Sequence, residues 1–270
     1  MNKVCIVIPV YKENLIGWEK ASFKQALKVL DKYDIVLYTY QGLDLSAYYK
    51  EASALNKSLK VEFFDKEYFI SLKGYNRLCL TLDFYKRVST YEYMLIYQLD
   101  AWVFRDELQD WCNKGYDYIG APCPSAHDSK QWAVGNGGFS LRNIPFYIRL
   151  LSYEKPICIC LDFKHGYKGF IKSVLRFFSL PRKTSQCIEY ASERMNEDWL
   201  LSNFMSDVTR NKVFHPRLPS PIEAASFSLE LSPMYFYEKL GRKLPFGCHK
   251  FEAHEYDTFW HEFISQKHLV

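Results

Sequence analysis

The feature that most constrains the fold is the alternation of short apolar segments with helical patterns over the first hundred residues. Residues 4–10 (VCIVIPV) are apolar and mostly β-branched, which is typical of a strand buried on both faces of a parallel sheet. Three more segments have strand character: residues 35–40, 61–64 and 94–97. Apolar residues at helical spacing predict helices over 16–30 and 72–82. This alternation predicts a doubly wound α/β sheet.

Ligands of such sheets bind beyond the carboxyl ends of the strands, so two segments are expected to matter most. They are residues 9–14 (PVYKEN) and residues 98–102 (QLDAW). The second half of the chain contains a short predicted strand at 116–120, a glycine-rich loop and a predicted helix at 196–206. With 270 residues and no evident linker or repeat, the chain is predicted to form one domain.

Composition excludes several classes of protein. The formal net charge is only +4, too small for a protein that coats nucleic acid with its whole surface, and no nucleic-acid partner is expected. The longest stretch without a charged residue, 131–141, is too short to span a membrane. The eight cysteines include no C-x-x-C pair, so we expect reduced thiols in a cytoplasmic protein.

Asp100 is the first candidate for site chemistry. It follows the apolar run MLIYQL, so its carboxylate is expected at the ligand-binding edge of the sheet. One carboxylate, with Gln98 two residues earlier, is chemically sufficient to bind Mg²⁺ or Mn²⁺ together with a diphosphate. An Asp after a strand is also a common turn or cap residue, and the residue type leaves both interpretations open.

The segment GNGGFSLR, residues 135–142, places three glycines before a short predicted strand. Glycines there allow positive φ angles and let the backbone approach a ligand closely. A plain hairpin turn explains the same pattern equally well. A phosphate-binding P-loop is excluded, because no Lys-Ser/Thr pair follows the glycines.

The segment NEDW, residues 196–199, places two carboxylates immediately before an apolar helical pattern. One interpretation is helix capping, for which Asn196 and first-turn carboxylates are well suited. The other is a general base that removes a proton from a substrate. Adjacent side chains on a helix diverge by about 100°, so at most one of Glu197 and Asp198 can face a substrate.

Histidines near the C-terminus are candidate metal ligands. His254, His261 and His268 recur every seven residues. On a helix such side chains are separated by about 10.5 Å, too far to share one metal. His249, in the turn-like segment PFGCH, remains as a single candidate ligand.

Together, IVIPVYKEN, YQLDAW, YDYIGAP, VGNGGFSLR, NED and PFGCHKF resemble an uncharacterised bacterial family of nucleotide-diphospho-sugar transferase-like domains. The resemblance implies a single-domain glycosyltransferase of the A-type (GT-A) fold, an α/β fold with a Rossmann-like N-terminal half and a mixed central sheet. Residues 1–110 would form the nucleotide-sugar-binding half. Residues 111–270 would form the acceptor-binding half.

The resemblance also implies roles for individual residues. The donor nucleotide sugar is expected to contact Pro9, Tyr11, Glu13, Asn76, Arg77, Gln98, Gly137 and Gly138. The divalent cation, Mn²⁺ or Mg²⁺, is expected at Asp100 and His249, and the catalytic carboxylates at Asp198 and Glu197. Gln98 stands where the family's Asp-X-Asp motif has its first Asp, so the sequence leaves metal dependence open. Cys123 stands where an aromatic residue is expected, which would reshape the acceptor pocket.

A basic segment lies outside these motifs. Residues 155–183 contain seven Lys or Arg and one Asp, and their apolar and basic residues fall on separate faces of a possible helix. Such a helix could dock on an anionic membrane surface, where lipid-linked acceptors reside. It could equally pack on the core with a solvated basic face.

The sequence therefore predicts an inverting glycosyltransferase that uses a nucleotide-diphospho-sugar, a UDP-sugar in the first instance. Its acceptor would be a glycan or lipid-linked glycan in bacterial surface polysaccharide biosynthesis. The expected location is cytoplasmic and peripheral on the inner face of the membrane. Two alternatives remain: a non-catalytic module that binds a sugar nucleotide or glycan, and a sugar nucleotidyltransferase. The second is less favoured, since it needs a glycine-rich basic loop after the first strand and VYKEN provides none.

Overall fold

Strands and helices alternate along the N-terminal half in the order that the sequence predicts. The computed structural model describes residues 3–125, 131–153, 196–206 and 214–264. The strands are β1 (Val4–Pro9), β2 (Asp34–Tyr40), β3 (Leu59–Phe64), β4 (Tyr93–Tyr97), β5 (Ala101–Val103), β6 (Tyr118–Ile119), β7 (Pro122–Pro124), β8 (Trp132–Val134), β9 (Phe139–Asn143), β10 (Ser228–Leu229) and β11 (Gly247–His249). The helices are α1 (Gly17–Val29), α2 (Ser46–Ala54), α3 (Leu72–Cys79), α4 (Leu82–Lys86), α5 (Leu108–Asn113), α6 (Ile144–Leu151), α7 (Glu197–Ser206), α8 (Pro221–Phe227) and α9 (Pro233–Lys239), with 3₁₀ turns at Lys66–Tyr68 and Trp260–Glu262.

The central sheet has six strands in the order β3-β2-β1-β4-β9-β6. Strands β1 to β4 pair in parallel, whereas β9 is antiparallel to both β4 and β6. Every residue of β1 and β4 is buried, which explains why both segments are apolar without alternation. The prediction of an α/β fold with a Rossmann-like N-terminal half and a mixed central sheet is confirmed.

The strand order reverses between β1 and β4. From β1 the chain builds outward through β2 and β3, and then returns to add β4 on the other side of β1. The connections on the two sides diverge at this point and leave a crevice at the carboxyl ends of β1 and β4. The two segments that the sequence analysis selected, after Pro9 and after Tyr97, therefore face each other.

A second sheet, of order β10-β11-β5, stands beside this crevice. Only three residues separate the end of β4 from Ala101, the first residue of β5, so Asp100 lies in a tight connection between two sheets. Strand β11 is antiparallel to β5 and places His249 opposite Ala101. This register brings His249 beside Asp100, although the two are far apart in the sequence.

Several predicted boundaries differ from the structure. The helix predicted over 72–82 is two helices, because Thr81 begins α4 as a cap whose hydroxyl accepts the Phe84 N–H at 3.2 Å. The strand predicted at 116–120 is confined to β6, and the turn-like PFGCH ends in strand β11. Helices α2, α5, α6, α8 and α9 and strands β5, β7, β8 and β10 were not predicted.

Some further sequence predictions can be compared with the described residues. The described cysteines, at positions 5, 79, 112, 123 and 248, are free thiols. None of the described helices has the length and apolar character needed to cross a bilayer. The basic segment 155–183 lies outside the described residues, so the prediction of membrane docking stays a prediction.

Candidate functional site

A cleft of about 480 Å³ opens at the carboxyl ends of β1 and β4. Its lining combines the residues that follow these two strands with side chains from α1, α2, the start of α3 and the loop after β11. The lining residues are Pro9, Val10, Tyr11, Lys12, Glu19, Tyr48, Phe69, Ile70, Ser71, Leu72, Tyr75, Gln98, Leu99, Asp100 and Glu252. Four of the predicted site residues, at positions 9, 11, 98 and 100, thus share one cleft.

The formal charges of the side chains that line the cleft sum to a negative value. It contains three carboxylates, at Glu19, Asp100 and Glu252, and one lysine, Lys12. The Lys12 ammonium is itself 2.6 Å from the Glu19 carboxylate. The lining therefore carries an excess of two negative charges and would repel an anionic ligand that arrives without a cation.

Asp100 and Gln98 line the cleft, and the buried His249, which is not among the lining residues, contacts both. The Nε2 atom of His249 lies 3.0 Å from Oδ1 of Asp100 and 3.1 Å from Oε1 of Gln98. Burial alone would raise the pKa of Asp100, but the hydrogen bond and charge of His249 outweigh it and lower that pKa. The sequence predicted Asp100 and His249 as candidate metal ligands, and the structure places the two side chains in contact.

The other nitrogen of the imidazole contacts a residue that the sequence analysis did not select. Nδ1 of His249 lies 3.2 Å from Oε2 of Glu230, which is also buried. Burial would lower the pKa of His249, but the carboxylates of Asp100 and Glu230 outweigh it and raise the pKa to about 9. Without a metal, His249 is therefore a buried cation between two carboxylates at neutral pH.

This raised pKa predicts that stability falls as the pH rises. His249 is more basic in the folded chain (about 9) than in the unfolded chain (6.5). Its stabilising contribution is therefore complete below about pH 6.5 and is lost as the pH passes 9. Urea unfolding in EDTA should show the free energy of unfolding falling by about 2–3 kcal/mol across this range. The double variant Asp100→Asn/Glu230→Gln should lose most of this slope, and an equal slope in both proteins would refute the assignment.

The glycine loop before β9 packs against the residues of the site. An added Cβ on Gly138 would lie 2.0 Å from Nε2 of His249, and one on Gly137 would lie 2.5 Å from Oε1 of Glu197. The left-handed residue of the loop is Asn136 (φ 70°), and neither Gly137 nor Gly138 has a positive φ. The expectation of positive φ at these glycines is thus wrong. A side chain is excluded at both positions because the backbone packs closely against His249 and Glu197.

The contact between Gly138 and His249 makes a strong prediction about substitution. Gly138→Ala should cost about 1–3 kcal/mol of stability, because the imidazole is buried and the backbone of Gly138 is fixed by the hydrogen bond from Gln98 N to Gly138 O. Urea unfolding measures this cost. In a His249→Ala background the added methyl group has space, and the cost should fall by more than half. Equal costs in the two backgrounds would show that the contact is unimportant.

Glu197 and Asp198 begin α7 on the other side of the glycine loop. Oδ2 of Asp198 accepts the Gly137 N–H at 3.0 Å, and the side chain is only partly buried. Glu197 is instead buried, and its Oε1 accepts a hydrogen bond of 2.7 Å from Arg142. As predicted for adjacent helix residues, the two carboxylates face different surroundings.

Arg142 organises the interior beneath the loop. It is completely buried and also donates to the hydroxyls of Tyr85 and Ser140, at 3.0 and 3.2 Å. Burial raises the pKa of Glu197, an effect that the charge of Arg142 only partly offsets. Glu197 therefore belongs to a buried ion pair that supports the loop.

Three of the residues predicted to contact the donor sugar nucleotide do not line the cleft. Asn76 is buried, and its amide donates to Oδ1 of Asn196 at 3.1 Å, which joins α3 to the start of α7. Arg77 lies over the ring of Tyr68, with 5.9 Å from its guanidinium carbon to the ring centroid. Glu13 is exposed and, like these two, is not among the residues that line the cleft.

Two important residues were missed by the sequence analysis, although each carries a recognisable signal. Arg142 is a cation in a short apolar strand, and Glu230 is a single carboxylate in the run FSLELS. A charged residue in such a segment must be paired if the segment is buried. That rule would have selected both residues, but not their partners.

Comparisons with known proteins identify one matching family model and several solved structures of low sequence identity. Residues 58–249 match the family model described as "Protein of unknown function (DUF5672)". No curated protein matches the chain.

Among solved structures, the galactosyltransferase LgtC in complex with donor and acceptor sugar analogs is 12% identical (TM-score 0.49, 90% of this chain and 86% of that chain covered). The apo-form glycosyltransferase GlyE of Streptococcus pneumoniae TIGR4 is 11% identical (TM-score 0.46, 93% and 54% covered). Core-mannan synthase A of Aspergillus fumigatus, in a Mn/GDP form, is 10% identical (TM-score 0.45, 83% and 82% covered). At such identities neither substrate nor mechanism carries over to this chain.

Proposed function

The chain belongs to this family of proteins of unknown function, and we propose that it is a glycosyltransferase that uses a nucleotide-diphospho-sugar as donor. The observation that carries the proposal is the position of Asp100 in the cleft between β1 and β4, with Nε2 of the buried His249 at 3.0 Å from its carboxylate. The glycine loop lies beside them: Gly138 packs against His249, and the neighbouring Gly137 donates a hydrogen bond to Asp198. A cation site, a nucleotide-sized cleft and a second carboxylate are the parts that sugar transfer requires.

The donor atoms of Asp100, Gln98 and His249 suit a small divalent cation. In the described part of the chain, no three His, Cys, Asp or Glu residues form a group that could hold a metal alone. Mg²⁺, however, binds through one or two carboxylates together with the substrate's phosphates. Adjacent ligands of such an octahedral ion, each at about 2.1 Å, lie about 3.0 Å apart. Nε2 of His249 forms its hydrogen-bond contacts with Asp100 Oδ1 and Gln98 Oε1 at 3.0 and 3.1 Å, so the spacing of these three atoms also fits adjacent ligand positions of the cation.

The charge of the cleft supports metal dependence. The lining has three carboxylates and one paired lysine, and the imidazolium of His249 is already shared between Asp100 and Glu230, so little positive charge is available to bind an anionic diphosphate. A bound Mn²⁺ or Mg²⁺ would supply the positive charge that stabilises the leaving diphosphate. We therefore infer that donor binding requires the cation, although Gln98 replaces the first carboxylate of the usual metal motif.

Asp198 is the proposed general base. The acceptor hydroxyl forms a bond to carbon 1 of the sugar and transfers its proton to the Asp198 carboxylate. At the same time the bond from carbon 1 to the diphosphate oxygen breaks, and its electron pair leaves with the diphosphate. The Gly137 N–H holds Asp198 beside the glycine loop, and the ion pair of Glu197 with Arg142 fixes the first turn of α7 below it.

The nucleotidyltransferase alternative is not favoured by the loop after β1. Its lysine, Lys12, is paired with Glu19, and the loop contains no glycine before Gly17. Only a measurement of activity can distinguish an enzyme from a non-catalytic module that binds a sugar nucleotide or glycan. Five finer points stay predictions. They are the inverting stereochemistry, the UDP-sugar donor, the lipid-linked acceptor, the role in a bacterial surface polysaccharide and the location on the inner face of the membrane.

A thermal-shift screen of nucleotide sugars tests the proposal. With Mn²⁺ present, at least one nucleotide-diphospho-sugar should raise the melting temperature, because a ligand that binds only the native state stabilises it. The same donor should then release its nucleoside diphosphate when it is incubated with enzyme and acceptor glycans. Stabilisation without release would support the binding module, and no stabilisation by any donor would refute the proposal.

A further inference from the structure

Glu230 is a buried carboxylate beside the proposed cation site that belongs to none of the sequence motifs. It follows β10 directly, and only 7% of its surface is exposed. Its two oxygens have different partners. Oε2 lies 3.2 Å from Nδ1 of His249, whereas Oε1 lies 3.3 Å from the Lys250 ammonium and 3.7 Å from Nε2 of His254.

We propose that Glu230 is a positioning residue that prepares His249 to bind the cation. By accepting a hydrogen bond from Nδ1–H, Glu230 keeps the proton on Nδ1 and so favours the tautomer in which the lone pair of Nε2 is available. Nε2 is the nitrogen that faces Asp100 and Gln98. Carboxylates in this position orient metal-binding imidazoles and increase their basicity. The inference rests on the proposed function, because it assumes that the cation binds at Asp100 and His249.

The surroundings leave the imidazole little freedom to reorient. The backbone of Gly138 is so close to the Nε2 edge of the ring that no Cβ could be accommodated there. The backbone of His249 is held in β11 opposite Ala101. With the ring confined in this way, the contact with Glu230 retains the proton on Nδ1 when a cation takes the place of the proton on Nε2.

Lys250 makes the arrangement compatible with a bound cation. When a metal replaces the proton on Nε2, His249 becomes neutral and no longer compensates the charge of Glu230. The Lys250 ammonium remains 3.3 Å from Oε1 of Glu230 as a second counter-ion. The buried carboxylate is therefore paired in both states, which avoids the cost of an isolated buried charge.

The test measures Mn²⁺ affinity directly, without donor or acceptor, by the EPR signal of free Mn²⁺. Glu230→Gln keeps the size of the side chain but removes its charge, and it should weaken Mn²⁺ binding about 10- to 100-fold. Glu230→Asp keeps the charge and should lose less affinity. Glu238→Gln is the matched control, since Glu238 is an exposed partner of Arg242 at 3.0 Å, and it should leave the affinity unchanged.

A second measurement reports on the imidazole itself. Pulsed EPR of Mn²⁺ bound to protein with ¹⁵N-labelled histidine detects the coupling to a directly bound nitrogen. The coupling should be present in the wild type and in Glu238→Gln, and it should be weakened in Glu230→Gln. A purely structural role for Glu230 would lower the melting temperature without changing this coupling at saturating Mn²⁺.

The outcomes separate this inference from the proposed function. Unchanged Mn²⁺ affinity and coupling in Glu230→Gln, with Asp100→Asn strongly impaired, would overturn the role of Glu230 alone. Equal Mn²⁺ affinity in the wild type and Asp100→Asn would overturn the cation site and the inference with it. Loss in Glu230→Gln, partial recovery in Glu230→Asp and no loss in the control would support the inference.

Discussion

Replacing Asp198 with Asn should lower the rate of sugar transfer by about 10²- to 10⁴-fold, the usual contribution of a general base. The amide is nearly the same size and can still accept the Gly137 N–H, so the glycine loop should stay in place. The stability cost should be limited to about 0.3–1 kcal/mol from the lost charge in the first helical turn. The rate is measured as release of nucleoside diphosphate with the donor and acceptor that support activity.

Glu223→Gln is the matched control for this substitution. Glu223 is also a first-turn carboxylate, in α8, and its partners are Lys114 and Tyr116 rather than the glycine loop. Its replacement should leave turnover unchanged. Full transferase activity in Asp198→Asn would show that Asp198 only begins a helix, and another base would have to be sought.

Replacing Glu197 with Gln should affect stability more than chemistry. Arg142 is fully buried, and Glu197 is the carboxylate that compensates its charge. Breaking a buried ion pair by removing one partner typically costs about 3–5 kcal/mol. Urea unfolding should show this loss for Glu197→Gln and for Arg142→Met, and much less for Asp198→Asn.

Removing both partners provides the control. The double variant Arg142→Met/Glu197→Gln leaves no uncompensated charge and should recover a large part of the stability that either single variant loses. The hydroxyls of Tyr85 and Ser140 would still lose their partner, so recovery should be incomplete. Losses that simply add would show that the pair makes no cooperative contribution.

The sequence predicts the sheet well where burial alone determines the pattern. Strands β1 and β4 are buried on both faces, and their apolar runs identify them without further information. Positions that follow such strands lie at the ligand-binding edge, which is why Pro9, Tyr11 and Asp100 were correctly placed in one cleft. The break at Thr81 was missed, because the apolar spacing continues through it while the cap acts locally.

The composition of the site depends on strand register, which no local pattern contains. His249 meets Asp100 because β11 is antiparallel to β5 and pairs position 249 with position 101. Glu230 reaches the same imidazole because β10 is parallel to β11. The sequence identified the histidine and the aspartate as candidates by residue type, but a carboxylate without a motif could be recognised only from its contacts.

The acidic pair, Glu197 and Asp198, shows a second limit of prediction from the sequence. Sequence reasoning established that only one of Glu197 and Asp198 could face a substrate, since neighbours on a helix diverge. The choice between them depends on Arg142, a residue of a different strand that binds Glu197 in the interior. The structure thus supplies the reason for the preference for Asp198, which the sequence could state only as a hypothesis.

Calorimetric titration of nucleoside diphosphates tests the central claim most directly. UDP, GDP and CDP are titrated into the wild type and Asp100→Asn, each with Mn²⁺ and with EDTA. At least one nucleotide should bind the wild type with Mn²⁺, and its affinity should fall at least about tenfold in EDTA or in Asp100→Asn, because the cleft carries excess negative charge. Equal affinity under all these conditions, or no binding of any nucleotide with Mn²⁺, would contradict a metal-dependent donor site at Asp100.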